Sequence, residues 1–525
     1  MTTLTSLARI EAADQGRAQL IRAVRHVHVS DRPLVVIPLQ LAGEPCAPLA
    51  AMIGDDRSAP RLLVVANPLN REDRFRFAAE LAGVVLGYIG RHAAGPEPAE
   101  KEAYPDAPQL VLPNAGGVTF TRLLGRSTRF RPTAGPGAVP AAVPALGCWL
   151  TYFAERAQHP ASSLLLTATG ALSAHWATGQ SAAEDQNLAA LLGWISPPPG
   201  LTSRQAALLA EDPARCPPAG PATDPAFDRD VLVELYKAIK ESRAAGAGEA
   251  AVEGAATERR VLVLLERELR LVLEPTWRLV WQSVDLLRAL PAGGHVAQRW
   301  TSDRKSFTGY ARYLRDGGFP QAKRDAAVDA ARRLARLEGE QEQLDAQMAF
   351  DDPLVMAEHL MTGRAFEGVV VQAEPHRLDQ SGKRAKLRPW ITLETADEVT
   401  AEPGAELRSP ARPGQKAAVI ETATLNGRTR VTLELQSGMG RGLAPAPGSV
   451  PEREDVLCYT TLTLEFQPPP GFPAREDTPW THGGPPPEYV PADQAVAEPW
   501  DGSAWEDGAW EDTAWEEAVQ GGEPS

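Results

Sequence analysis

The 525-residue chain lacks several features that would classify it at once. Its four cysteines are scattered with no CxxC pair, which argues against a disulfide framework and against a structural zinc site. Aromatic residues make up only 6%, and no apolar run reaches the ~18–20 residues that a membrane helix needs. The N-terminal residues do not show the charged-then-apolar pattern of a signal peptide. These absences predict a soluble, cytoplasmic protein.

The common enzyme signatures are also missing. The sequence contains no GxxxxGK[ST] phosphate loop, no HExxH, no GxSxG, no kinase catalytic loop and no EF-hand loop. We therefore predict no catalytic residue, no cofactor and no bound metal, and a protein that is not an enzyme. Only 8 of the 53 basic residues are lysines, a bias that is typical of high-GC bacterial genomes.

The negative charge is concentrated at one end of the chain. The net charge is −15, and residues 468–525 contain 13 acidic residues against one basic residue, Arg475. That segment has almost no aliphatic run, so it cannot bury enough apolar area to offset the entropy of ordering. The composition predicts a disordered acidic tail over residues 468–525.

Tryptophan recurs in this tail every five residues, a period that fits neither a helix nor a strand. Repeated short docking motifs explain this spacing, because one indole can enter a partner's pocket while flanking carboxylates meet basic side chains. In layout the tail resembles that of bacterial single-stranded-DNA-binding proteins, although their aspartate-rich tip ending in phenylalanine is absent. The predicted partner is a protein such as a helicase or a nuclease, and the alternative is a solubilising tail. The predicted partner-binding residues are Trp500, Trp505, Trp510 and Trp515.

Hydrophobic periodicity divides the remaining chain into four parts and predicts a multidomain α+β protein. The last part shows five or six short strands of period two, which suit a small OB-like barrel, and Asn426-Gly427 predicts a tight hairpin turn within it. The predicted parts are an α/β domain (1–130), a helical region with loops (146–225), a helical domain (226–362) and the barrel (365–467).

The first 125 residues show the order helix, three strands, helix, strand, which is compatible with the core of restriction-endonuclease-like nucleases. Such a site needs acidic residues and a lysine on adjacent strands to hold a metal and position water. The third strand, residues 61–67, has neither. Glu44 and Asp55 lie at strand ends, where turn and cap roles are the simpler explanation. A metal-dependent nuclease is therefore retained only as an alternative.

One stretch, residues 299–336, combines ten basic residues with four acidic ones and interleaves them with aromatic residues. Cations neutralise phosphates and flat rings stack on unpaired bases, so the pattern predicts binding of single-stranded nucleic acid. The alternative is a solvated helix face over a core that buries the rings. The predicted contact residues in this stretch are Arg299, Trp300, Arg304, Lys305, Tyr310, Arg312, Tyr313 and Arg315.

A second basic cluster occupies the first loop between strands of the predicted barrel, a position that often contacts nucleic acid in OB-type barrels. Together these features predict a non-enzymatic adaptor that binds single-stranded nucleic acid and recruits a partner through its tail. A protein-interaction scaffold without nucleic acid is a further alternative. The predicted contact residues in the barrel loop are Lys383, Arg384, Lys386 and Arg388.

Overall fold

A computed structural model describes residues 3–465 with a few gaps, and Gly471. We call residues 3–465 the body. The four tail tryptophans lie outside the described residues, so the predicted disorder and docking role of the tail stay predictions. The described chain is a mixed α+β protein with a closed six-stranded barrel in its C-terminal region, as the sequence predicts at this level. The gaps in the body are residues 45, 46, 100, 101, 214, 245–248, 383 and 426.

Helices and strands alternate in the first part of the body. Apolar spacing over residues 4–27 predicts a longer helix, but α1 ends at Gln15. Gly16 follows with a φ of +66°, and this left-handed conformation ends the helix. The elements are α1 (Thr3–Gln15), β1 (Gln19–Leu20), β2 (Leu34–Gln40), β3 (Pro48–Gly54), β4 (Arg61–Val64), α2 (Arg71–His92), β5 (Leu110–Leu112), α3 (Ala115–Thr128), α4 (Ala142–Arg156), β6 (Leu165–Thr167), α5 (Ala168–Ser173), β7 (Trp176–Ala177), α6 (Leu188–Ile195) and α7 (Ser203–Ala210).

The middle of the body is helical, as the pattern over residues 226–362 predicts. Helix α10 continues through Pro275, where the sequence predicts a stop or a kink. Leu273 and Trp277 are buried on either side of the proline, and this packing holds the helix together. Within the described ranges, no helix combines the length and apolar character needed to cross a membrane. The helices are α8 (Pro225–Phe227), a π-helical turn (Asp228–Leu232), α9 (Val233–Arg243), α10 (Glu249–Ala289), α11 (Val296–Arg315), α12 (Ala327–Asp351) and α13 (Pro353–Met361).

A five-stranded sheet with the order β4-β3-β2-β5-β6 organises the first part of the body. Strands β5 and β6 run parallel to β2, whereas β3 and β4 form an antiparallel meander with it. Strand β6 belongs to a stretch that the sequence pattern assigns to helix and loops. Alternate residues of the strands enter two cores, one shared with α2, α3, α4 and α11, and the other shared with α5, α6, α9 and α10.

The C-terminal barrel closes through antiparallel neighbours in the order β11-β14-β13-β12-β15-β8. Val431, Leu433 and Leu435 on β14 fill its interior, as the period-two pattern predicts. Leu425 pairs with Arg428 across a two-residue turn; Asn426 lies outside the described residues. An OB-type topology within this class stays a prediction. The strands are β8 (Ala365–Glu374), β9 (Leu378–Asp379), β10 (Lys386–Leu387), β11 (Trp390–Thr395), β12 (Glu406–Ser409), β13 (Arg412–Leu425), β14 (Arg428–Leu435) and β15 (Val456–Thr460).

Candidate nucleic-acid interface

Helix α11 carries all the predicted contact residues of the basic stretch, and the first two are buried. Arg299 is 5% exposed and donates from Nη1 to Oε1 of Gln347 at 2.7 Å. Trp300 stacks on the ring of His28 with centroids 3.9 Å apart and donates from Nε1 to Asp106 at 3.1 Å. Both side chains therefore stabilise the body and present little surface to a ligand.

Tyr310 also belongs to the core side of α11. Its ring stacks on Tyr152 of α4 with centroids 4.3 Å apart and an interplanar angle of 5°. Its hydroxyl donates to the carbonyl oxygen of Cys148 at 3.0 Å. For Arg299, Trp300 and Tyr310, the structure agrees with the alternative in which α11 covers a core that buries the rings.

The remaining cations of α11 are partly neutralised. Arg312 and Arg315 both pair with Glu97, at 2.8 and 2.9 Å, and the hydrogen bond from Arg312 lowers the pKa of that carboxyl. Arg304 donates to the carbonyl oxygen of Pro105 at 2.8 Å. Lys305 is exposed. This face of α11 thus keeps a modest positive charge, spread over most of the helix.

In the barrel, the β9–β10 hairpin forms the loop that the sequence singles out. Arg384 and Lys386 are exposed on it, and Lys383 lies outside the described residues. Arg388 instead donates to the carbonyl oxygen of Gln436 at 3.0 Å and so fastens the end of the loop. Within its described residues, the barrel loop therefore presents two exposed cations, Arg384 and Lys386, which are distant from α11 in the sequence.

The C-terminal end of α11 presents an aromatic ring to solvent. Gly317 has a φ of +81°, and its N–H and that of Gly318 donate to Leu314 and Tyr313, the pattern of a Schellman cap. A side chain at position 318 would meet the Tyr313 ring at 2.5 Å. The Tyr313 hydroxyl also donates to the carbonyl oxygen of Phe319 at 2.9 Å. The turn holds Phe319 outward, and this ring is 84% exposed.

The end of helix α3 lies beside this turn. Arg129 is buried and donates to the carbonyl oxygens of Gln321 and Ala322 at 2.8 and 3.0 Å. Phe130 follows it and is 46% exposed, with the Arg129 guanidinium 4.8 Å and the Lys323 ammonium 5.7 Å from its ring centre. Arg129 thus fixes the loop after α11 so that cations flank an accessible ring.

Two glycines make this arrangement possible. A Cβ atom at Gly147 of α4 would lie 2.4 Å from the backbone nitrogen of Arg129, and one at Gly125 of α3 would lie 2.8 Å from Oγ1 of Thr151. Helices α3 and α4 therefore touch backbone to backbone, which sets the position of the α3 terminus. Any larger residue at position 147 would move Arg129 and the ring beside it.

We call the resulting patch the basic–aromatic surface. Among the described residues, its cations Arg126, Lys323 and Arg324 have no carboxylate within ion-pair distance, and the nearby Asp325 is neutralised by Arg333 at 3.0 Å. The surface consists of Arg126, Phe130, Arg131, Phe319, Lys323 and Arg324.

The sequence reasoning missed the part of this surface that α3 contributes. The signal was present, because Arg126-Ser-Thr-Arg-Phe-Arg places three arginines around one phenylalanine. Of the predicted residues, Arg312, Tyr313 and Arg315 lie at the α11 end that carries the surface. The structure therefore moves the strongest concentration of cations and exposed rings from the middle of α11 to its end.

The acids of the nuclease alternative are not brought together. Glu44 precedes β3 and Asp55 follows it, so the whole strand separates them. Asp55 pairs with Arg32 and Arg91 at 3.2 and 2.7 Å. Within the described ranges, no group of three or more His, Cys, Asp or Glu side chains could hold a metal ion.

No known protein clarifies the assignment. No family model, curated protein or solved structure matches the chain.

Proposed function

We propose that the protein is a non-enzymatic adaptor that binds single-stranded nucleic acid and recruits a protein partner through its acidic tail. The observation that supports the binding role most directly is the pair of exposed rings, Phe130 and Phe319, set among the cations of the basic–aromatic surface. Unpaired bases stack on such rings, and the cations neutralise the phosphates between them. Phe319 lies two residues before Gln321, so at most about 7 Å of chain separates it from the anchor of the loop.

The barrel loop provides a second, weaker contact in this proposal. Arg384 and Lys386 are exposed on the β9–β10 hairpin, and loops of this kind bind oligonucleotides in OB-type barrels. The guanidinium of Arg377 lies 3.9 Å from the centre of the half-buried Trp390 ring beside the loop, and Glu434 neutralises its charge at 2.9 Å. A strand long enough to touch both sites would bind more tightly than a short one.

Replacing both Phe130 and Phe319 by alanine should weaken binding of full-length protein to a fluorescent single-stranded oligonucleotide by about tenfold or more, because each stacked base contributes about 1–3 kcal/mol. Fluorescence anisotropy with DNA and RNA strands measures this.

Reversing Lys323 and Arg324 to glutamate should also reduce the dependence of binding on salt, since fewer counterions are released.

Matched controls lie on the other face of the sheet and on α7. Leu208→Ala removes an equally exposed apolar side chain, and Arg278→Glu reverses an exposed cation on α10. Both should leave binding unchanged. Absence of binding by the wild-type protein at low salt would overturn the nucleic-acid role, and equal binding by the double alanine variant would remove the surface from it.

Changing all four repeat tryptophans to alanine should abolish capture of the protein partner by the full-length chain. Affinity capture from an extract of the source cell, with quantitative mass spectrometry, measures this loss, and a helicase or nuclease is the expected class of captured protein. Changing the adjacent Ala504, Ala509 and Ala514 to serine is the matched control and should capture normally. Equal capture by the two variants would contradict the docking role. Capture without nucleic-acid binding is the result that the scaffold alternative predicts. The tryptophan variant changes Trp500, Trp505, Trp510 and Trp515.

A further inference from the structure

A polar cleft of about 480 Å³ lies away from the basic–aromatic surface. It is formed where the chain enters β2, where β3 ends and where the last turn of α2 ends. This volume falls in the range of pockets that take small organic ligands. Its charged side chains form two groups, one around a pair of arginines and one around the carboxylate of Asp106, and the adaptor role does not account for them.

The first group is a pair of arginines held side by side. Arg32 and Arg91 contact the same carboxylate oxygen, Oδ2 of Asp55, at 3.2 and 2.7 Å, so their contacting nitrogens lie within about 6 Å of each other. Arg91 also lies over the ring of Tyr88 at 5.3 Å. Each guanidinium has five N–H groups and uses few of them here, so both can donate to one further anion. Asp31 also lines the cleft, so the carboxylates of Asp31 and Asp55 formally balance the two guanidinium charges, and an anion bound here would be held by the unused N–H groups.

The second group centres on Asp106. Its Oδ1 accepts from Nε1 of Trp300 at 3.1 Å, while its Oδ2 lies 3.6 Å from Nδ1 of His92, too far for a hydrogen bond. Burial lowers the pKa of His92, and it lowers the pKa of His28 to about 4. Both imidazoles are therefore neutral near pH 7 and leave the charge of Asp106 uncompensated. This end of the cleft attracts a hydrogen-bond donor.

We propose that the cleft binds one nucleotide, with its phosphate on Arg32 and Arg91 and the exocyclic amino group of its base on Asp106. Guanidinium forks match phosphate oxygens, and a carboxylate accepts from an exocyclic amino group such as that of cytosine. The nucleotide is either free or the 5′-phosphorylated end of a strand. Only the second source depends on the function proposed above.

Isothermal titration of the full-length protein with CMP, UMP and cytidine tests the proposal. CMP should bind about tenfold more tightly than UMP, which has a carbonyl in place of the amino group, and about tenfold more tightly than cytidine, which lacks the phosphate. Arg32→Gln and Arg91→Gln should remove the advantage of CMP over cytidine. Asp106→Asn should remove the advantage of CMP over UMP. Arg278→Gln is the matched control, and thermal unfolding of each variant confirms that it folds.

The two sources are separated with cytosine oligonucleotides. If the ligand is a strand end, a 5′-phosphate should tighten binding several-fold over a 5′-hydroxyl, and Arg91→Gln should abolish the gain. If the ligand is free, the 5′-phosphate should change nothing while CMP still binds. Equal binding of CMP, UMP and cytidine, or no binding of any of them, overturns the proposal. Binding of the 5′-hydroxyl strand tests the basic–aromatic surface independently of the cleft. Failure of the nucleotide proposal can therefore be distinguished from failure of the proposed function.

Discussion

Acidification from about pH 7.5 to about pH 5 is expected to lower the free energy of unfolding of the body by about 4 kcal/mol through two buried imidazoles that must accept protons when the chain unfolds. His28, whose pKa burial also lowers to about 4, adds to this loss. Burial lowers the pKa of both His26 and His175 to about 4, from an ordinary value near 6.5. Between these values the unfolded chain binds more protons than the folded one. The stability is therefore complete above about pH 6.5 and is lost progressively as the pH falls towards 4.

The surroundings of the two rings explain why they stay neutral. The rings stack with centroids 6.3 Å apart, so a proton on one disfavours a proton on the other. Arg22 and Arg299 also disfavour a charge on His26, while Asp352, 3.7 Å away, favours it. Asp352 is committed elsewhere, since it accepts from the backbone N–H groups of residues 23 and 24 and caps α13.

Denaturant unfolding at the two pH values measures this effect. His175→Gln should reduce the difference between them by about 2 kcal/mol, whereas His376→Gln, at an exposed position in the barrel loop, should not change it. Hydrogen exchange, corrected for its intrinsic pH dependence, should show lost protection over residues 20–30 and 350–356 first. Equal stability at the two pH values would mean that neither ring stays neutral through burial. Typical domains have a free energy of unfolding of about 5–15 kcal/mol, so the expected loss is a large share of the total stability.

The elements that could be predicted from sequence are those with a strong local pattern. The apolar run of β2 and the alternation along β14 correspond to a strand buried on both faces and a strand with one face in the barrel. Helix α2 carries its own signals, because Asn70 caps its N-terminus and Arg91 and His92 lie in its last turn. Such segments need no knowledge of distant residues.

The remaining features depend on contacts between distant parts of the chain. Strand β6 has only three residues, and its identity depends on pairing with β5. The interleaved rings and cations of α11 suit a core-covering helix as well as a binding face, and only the fold shows that Trp300 points inward. Phe130 gains its place beside Lys323 through the Arg129 contact with Ala322, a separation of 193 residues. Local periodicity contains no information about that contact.

Replacing Asp303 by alanine is expected to destabilise the body by about 3–5 kcal/mol, the usual cost of removing one partner of a buried ion pair. Asp303 is 1% exposed and accepts from Arg156, from the Ser162 hydroxyl and from the backbone N–H of Ser163 at 3.1, 2.7 and 2.7 Å. It thereby ties α11 to α4 and to the segment that leads into β6. Its loss leaves the guanidinium of Arg156 and the buried N–H of Ser163 without this acceptor.

The reciprocal change, Arg156→Met, should cost less, because the carboxyl can then take up a proton and keep its other hydrogen bonds. Burial already raises the pKa of Asp303, against the hydrogen bonds that lower it, and removing Arg156 raises it further. Folding then binds a proton, so this variant should gain stability relative to wild type as the pH falls from about 7.5 to about 5. Asp316→Ala, at the exposed end of the same helix, is the control and should change stability by about 0.5 kcal/mol or less. Denaturant unfolding of the three variants at both pH values measures the pattern. A cost for Asp303→Ala no larger than that of the control would show that the carboxylate does not hold α11 in place.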